Sequence, residues 1–222
     1  FIAMVLVIKI MLTFGSDPNA NVTKKSKSPL SFHPIALIFG LLSFVSYLVE
    51  GAVGDWSALY LFEDKGIVIE EAVMGVMLFN GTMCIGRLLG NRLGKHLTSK
   101  QVVVGGYLLG SIAMGLIVFL PGHASMYTYL LLGISLAMIV PNLFSAMGEQ
   151  NVIPMTQAVA TSTMLGYMGI LMGPALIGFI AHGTSLTVAF IVLTILLVVS
   201  AGIGKYAYHL MSKDCGLSEE QI

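Results

Sequence analysis

Long apolar stretches separated by short polar ones dominate the chain. Beyond residue 33 they fall at roughly 34–61, 69–90, 101–120, 125–147, 155–181 and 185–205. Each reaches the ~20 residues that a helix needs to cross a hydrocarbon core of about 30 Å, so the pattern predicts six complete crossings. The connections are short and turn-like: Glu63-Asp64-Lys65-Gly66, Pro121-Gly122-His123 and His182-Gly183-Thr184 at one end, Gly94-Lys95-His96 to Lys100 and Gly148-Glu149-Gln150-Asn151 at the other. Connections of that length force neighbouring helices to run antiparallel. An earlier apolar run ends at Phe14 and supplies only about 21 Å of helix. It is expected to be the end of a truncated crossing rather than a signal peptide, since no basic stretch precedes it. Residues 15–33 form a polar linker with Lys24, Lys25 and Lys27.

The six runs differ in a repeating way. The first and fourth carry the unusual polar groups, Glu50 and Asp55 in one and Pro141 and Asn142 in the other. The second and fifth are rich in glycine, with Gly86, Gly90 and Gly94 spaced by four in one and Gly166, Gly169, Gly173 and Gly178 in the other. Small residues at such spacing let helix backbones approach closely. The third and sixth are nearly all aliphatic, which suits lipid contact. Two triplets of the same order make an internal repeat of three helices, a pattern found in many transporters.

Composition strengthens this reading. Of 222 residues, 56% are hydrophobic and 10% charged, where a soluble chain carries about 25% charged; the mean hydropathy is +0.91. No Asp, Glu, Lys or Arg occurs between Lys100 and Glu149 or between Glu149 and Lys205. The formal net charge is zero, which excludes nucleic acid as a partner and leaves the lipid bilayer. Cys84 and Cys215 are too few and too far apart for a metal cluster or a disulfide scaffold. Ten of the eleven basic residues lie at the end shared by linker and C-terminus, and Lys65 stands alone opposite. Basic residues near span ends stay on the cytoplasmic side, so linker and tail are expected inside and the acidic Glu63–Glu71 loop outside. Trp56, Tyr60, Tyr127 and Tyr129 then fall at the outer interface, and Tyr206 and Tyr208 at the inner one.

Candidate chemistry is sparse. Glu50 lies about 24 Å along a helix starting at Pro34, in the outer third of the membrane, where a carboxylate costs a few kcal/mol unless it faces a cavity or partner. Raised in pKa by burial, it would carry a proton and couple transport to a proton gradient; alternatively it snorkels or fixes helix packing. Asp55 follows Gly51 and Gly54, where a helix break would make it a cap beside the same cavity. Pro141 removes a backbone hydrogen bond in mid-span, and broken helices at that depth bind substrates or ions. Asn142 beside it and Asn80 on the second span are the candidate substrate contacts. Arg87, about 27 Å into its span, is expected to reach the headgroups as an anchor or gate. All five histidines lie at span ends, so no intramembrane histidine relay is expected. The H-E-x-x-H, G-x-S-x-G and P-loop signatures are missing, so neither an enzyme nor a metal or cofactor is expected.

The fragment Gly86-Arg87-Leu88-Leu89-Gly90-Asn91-Arg92-Leu93-Gly94-Lys95 resembles the loop motif between the second and third helices of a major facilitator superfamily (MFS) half, with Asn91 where Asp is usual. Glu50 to Leu61, and Gly166 to Pro174 with Gly169 and Gly173 as packing or hinge positions, resemble the fucose-permease-like and bacterial sugar-transporter-like branch. The resemblance implies an all-α polytopic bundle, the C-terminal half of twelve helices, arranged as two three-helix repeats. Residues 1–14 would end the sixth helix, 15–33 form the central cytoplasmic loop, 34–206 the six-helix domain and 207–222 a cytoplasmic tail. It also implies that the helices carrying Glu50 and Asn142 line a cavity shared with a missing N-terminal half. The expected function is secondary active transport of a small organic solute, with a sugar as the candidate that the branch suggests, driven by protons in the bacterial inner membrane. The alternatives are a drug or metabolite exporter and a membrane interaction protein without transport activity.

Overall fold

The computed structural model describes residues 33–93 and 97–215, with side chains described for 33–90 and 97–213. Residues 1–14, the linker to residue 32, Gly94, Lys95 and the tail beyond 215 lie outside the described residues, as do the side chains of Asn91 and Arg92. Seven helices follow in order: α1 (Pro34–Glu63), α2 (Ile69–Leu93), α3 (Ser99–Phe119), α4 (Gly122–Leu136), α5 (Ile139–Glu149), α6 (Met155–Gly183) and α7 (Leu186–Cys215). Since α4 and α5 together make one crossing, they amount to six apolar spans. The last helix runs to Cys215, so the first residues of the expected tail continue it.

Local signals set these boundaries. Pro34 suits the first turn of α1, where a helix has no use for its missing N–H, and the His33 Nδ1 accepts the Ile35 N–H at 3.4 Å. At α3, Thr98 and Gln101 form a capping box: the Gln101 N–H donates to Thr98 Oγ1 (3.3 Å) and the Thr98 N–H to Gln101 Oε1 (3.1 Å), satisfying two otherwise orphaned donors. The turn after α1 uses Gly66 at φ +67°, a conformation that glycine adopts without strain. Beside it, Lys65 caps the far end of α3, with its Nζ donating to the Val118 and Leu120 carbonyls at 2.6 and 2.9 Å. Burial holds this ammonium below the ordinary lysine range, and Asp64 pulls the other way.

Helix pairing follows the two-triplet pattern. Helix α1 packs along α6 and also against α7; α4 packs along α2 and also against α3; α3 and α7 pack on each other. Exchanging the two triplets maps each pairing onto its mate and leaves α3–α7 on the pseudo-axis. Glycine makes the two long pairings possible. At Gly169 and Gly173 any Cβ would strike the Phe44 and Leu48 carbonyls of α1, and at Gly86 it would come within 2.6 Å of Ala137 Cβ at the foot of α4. Backbones at that separation gain dispersion contacts that bulkier residues would forbid.

Burial differs from helix to helix. In its most apolar stretch α1 is 61% buried, α3 44% and α7 39%, but α2 only 28% and α6 22%. The aliphatic helices therefore spend much of their surface on each other, and the outer faces of the glycine-rich helices are the exposed ones. Leu88, Leu171 and Phe179 stand out from those faces, an apolar exposure that only lipid or another protein surface can cover.

The aromatic belts are also narrower than expected. Tyr60, Tyr129 and Tyr208 are buried in the core, and Tyr60 stacks on Phe190 at 4.2 Å. Only Tyr127 and Tyr206 are exposed among the tyrosines expected at the interfaces. Trp56 is half-buried and donates its indole N–H to the Pro174 carbonyl of α6 at 2.9 Å. These rings fill space between helices, because a large aromatic gains more from packing than from an interface when a cavity of its shape is available.

Candidate functional site

Helix α1 is continuous through Gly51 and Gly54, so the expected break at Asp55 is absent and Asp55 is not a cap. Two glycines do not stop a helix whose other faces are held by packing. Asp55 is an exposed residue within it. Glu50 lies within two residues of the middle of α1.

There Glu50 meets a partner. Arg87 of α2 directs one nitrogen, Nη2, at both carboxylate oxygens, 3.2 Å from Oε2 and 3.5 Å from Oε1. The guanidinium thus bends toward α1 and pairs with its carboxylate. Two opposite charges among apolar helices stabilise each other where neither has full access to water. The side chains stay 22% (Glu50) and 43% (Arg87) exposed, so the pair lies on an open face of the bundle and not in its core.

Two tyrosines complete the group. Tyr47 precedes Glu50 by three residues and therefore shares its helix face. Its ring stacks on Tyr167 of α6 with centroids 6.2 Å apart and planes 8° from parallel, and Gly166 makes room for it, since a Cβ there would lie 2.7 Å from the ring. Tyr47 lies within electrostatic reach of both Glu50 and Arg87. An ion pair beside an aromatic shelf, drawn from α1, α2 and α6, can hold a small solute by polar groups on one side and a flat or apolar face on the other.

The α4/α5 break stands next to this group. Pro141 cannot donate to Ala137, and the helix parts at Ala137-Met138 before resuming at Ile139. The Asn142 amide turns back to its own helix and donates to the Met138 carbonyl at 2.8 Å, serving the joint rather than a neighbouring span. Gly86 and Gly90 of α2 rest on Ala137 and Met138, so the joint touches the two glycines that flank Arg87. Asn80 is exposed two turns before Arg87 in α2 and donates to the Val76 carbonyl of the same helix at 2.9 Å. Neither asparagine shares a hydrogen bond with Glu50 or Arg87. In the second proline helix, α6, Gly51 of α1 leaves space for the Ile170 carbonyl that Pro174 deprives of its donor.

The partnership of Glu50 with Arg87 was open to sequence reasoning, because they are the oppositely charged residues furthest inside facing spans. Tyr47 and Tyr167 carried no such signal: each is one aromatic residue in an apolar run.

Six helices long and apolar enough to cross a membrane, with a charged pair near the middle of α1, define a polytopic membrane protein among the described residues. No protein-family model matches the chain. An uncharacterised MFS-type transporter of Yersinia pestis is 37% identical over 203 residues, 89% of this chain and 52% of that protein. Membrane protein MosC of Rhizobium meliloti is 31% identical over 151 residues, 68% of this chain and 37% of that protein. The fosmidomycin resistance protein of Escherichia coli is 25% identical over 200 residues, 85% and 48% respectively. Among solved structures, a variant of the E. coli fucose:proton symporter FucP shares the fold with a TM-score of 0.68 at 16% identity, over 78% of this chain and 42% of that one. The chain spans about half the length of the curated relatives that it matches, or less. The Yersinia pestis relative is described as an MFS-type transporter, and the chain shares the fold of the matched part of the fucose:proton symporter.

Proposed function

We propose that this chain is the C-terminal half of a secondary active transporter for a small organic solute, with Glu50 as the proton-coupling group. The observation that carries the reading is the Glu50–Arg87 pair, formed near the middle of the apolar helix α1 on an open face of the bundle. A carboxylate there is either neutral or paired, so proton binding to Glu50 and its bond to Arg87 exclude one another. Protonation releases Arg87 for the solute, and solute departure returns Arg87 to Glu50. The Tyr47–Tyr167 shelf holds the solute beside them. The other half of the cavity belongs to an N-terminal six-helix half covering this open face, and the two halves rock to open the cavity to either side of the bacterial inner membrane.

Transport by the intact protein in proteoliposomes tests this. Glu50→Gln should abolish accumulation driven by a proton gradient while leaving solute exchange across the membrane measurable; accumulation at the wild-type level would overturn the coupling role.

A second reading, export of drugs or metabolites, draws on the likeness to the fosmidomycin resistance protein. It keeps the same pair and reverses the direction, as proton–solute exchange. Cells lacking the gene then become sensitive to toxic small molecules and show no growth defect on any sugar.

A further inference from the structure

The Glu50–Arg87 pair sets a charge balance that narrows the solute. Together the two side chains are neutral, and an arginine keeps its proton in any protein setting. Once Glu50 takes a proton, the Arg87 charge stands without its counter-charge among apolar helices, where such charges pair with one another. A neutral solute does not restore that balance. The geometry leaves room for a replacement: Glu50 uses only Nη2 of the guanidinium, and the planar fork can hold both oxygens of a carboxylate through two nitrogens. Asn80 and Cys84 precede Arg87 by seven and three residues, which places them on its face of α2, and both are exposed. On α1, a Cβ built on Gly54, one turn beyond Glu50, would meet nothing within 4 Å. From α6, the exposed Tyr167 stacks on Tyr47 and presents a flat surface beside the pair.

We propose that the solute is a small carboxylate attached to a ring and that it binds together with one proton. The proton goes to Glu50, the carboxylate takes the place of Glu50 on Arg87, and the ring lies against Tyr47 and Tyr167. This rests on the coupling role of Glu50 given above and adds the charge and shape of what is carried. An anion and a proton bring no net charge between them, so the loaded site is as neutral as the empty one. A pH gradient alone then drives the step, and the membrane potential does not.

Thermal unfolding of the intact transporter in detergent tests this with two matched pairs of probes, benzoate against benzyl alcohol and glucuronate against glucose. Both acids should raise the Tm and their neutral partners should not. In the wild type the Kd of each acid should fall as the pH is lowered, by about tenfold per pH unit while Glu50 is ionised, because binding takes up one proton. Glu50→Gln should bind the acids at least as tightly and without pH dependence, and Arg87→Gln should lose them; the acid preference and its pH dependence in the wild type stand as evidence even where a variant fails to fold. The other ionisable groups around the pair on α1, α2 and α6 are Tyr47, Asp55, Cys84 and Tyr167, and Asp55→Asn should keep the wild-type pH dependence. Equal stabilisation by acid and neutral partner, no stabilisation of folded Glu50→Gln by either acid, undiminished binding in Arg87→Gln, or loss of the pH dependence in Asp55→Asn overturns the proposal. A pH-dependent shift with the neutral probes alone rejects the anion and keeps the coupling role. Acid binding through Arg87 that ignores pH in the wild type keeps the anion and rejects the coupling role.

Discussion

At the residue scale, Arg87 bridges both oxygens of Glu50 through a single nitrogen, and that geometry sets what substitution should do. A forked, two-nitrogen pairing would be stronger and more rigid; the single-nitrogen bridge opens by rotation of one side chain. Removing one partner leaves the other charged in a low-dielectric setting. Arg87→Leu should therefore cost about 1–3 kcal/mol, less than the 3–5 of a fully buried pair because both groups keep some solvent. Glu50→Gln/Arg87→Leu should recover much of that loss, and a double-mutant cycle on thermal unfolding measures the difference. Lys65 offers a second check on the same principle. Lys65→Met removes two donors from the end of α3 and should lower stability by roughly 1–2 kcal/mol, read as a fall in the unfolding temperature in detergent.

At the element scale, glycines of the same sequence class should behave oppositely according to what faces them. Gly169 abuts the Phe44 carbonyl, whereas a Cβ on Gly202 would meet nothing within 4 Å. Gly169→Ala should push α6 off α1 and reduce the yield of folded protein. Gly202→Ala should be neutral or stabilising by about 0.5–1 kcal/mol, the ordinary gain from replacing a helical glycine. Pro141→Ala restores the donor that the α4/α5 joint lacks. It should raise the unfolding temperature and slow transport, and paired measurements of stability and initial uptake rate test that trade.

The element list was legible in the sequence because lipid imposes a simple rule: long apolar runs become helices, and charges mark their ends. Finer features were legible where one residue's covalent structure decides, as at Pro141. They were hidden where packing decides. Two glycines near Asp55 read like a break, yet tight contact of α1 with its neighbours holds the helix straight. Tyr60, Tyr129 and Tyr208 read like interface residues, yet spaces between helices take them in. The pairing of Arg87 with Glu50 was hidden because a helix ruler gives position along the axis but not the direction in which a long side chain bends.

At the scale of the whole molecule, the open face bearing Glu50 and Arg87 assigns an environment to Cys84, which is exposed three residues before Arg87 on α2. If that face borders an aqueous cavity in the intact transporter, a charged, membrane-impermeant maleimide should label Cys84. A solute bound at Arg87 should slow the reaction. Labelling confined to apolar reagents would place the face against lipid instead. The rate of modification followed by mass spectrometry gives the answer without any knowledge of the solute.

The α1–α6 pairing has a consequence for motion. Gly169 and Gly173 seat against α1 carbonyls, Gly51 seats against an α6 carbonyl, and Trp56 holds Pro174 from the side. Sliding either helix by even one residue would drive backbone into backbone. The two must swing as a single lever, so spin labels placed on α1 and α6 should report one fixed separation through the whole transport cycle, while a label on α5 moves relative to both.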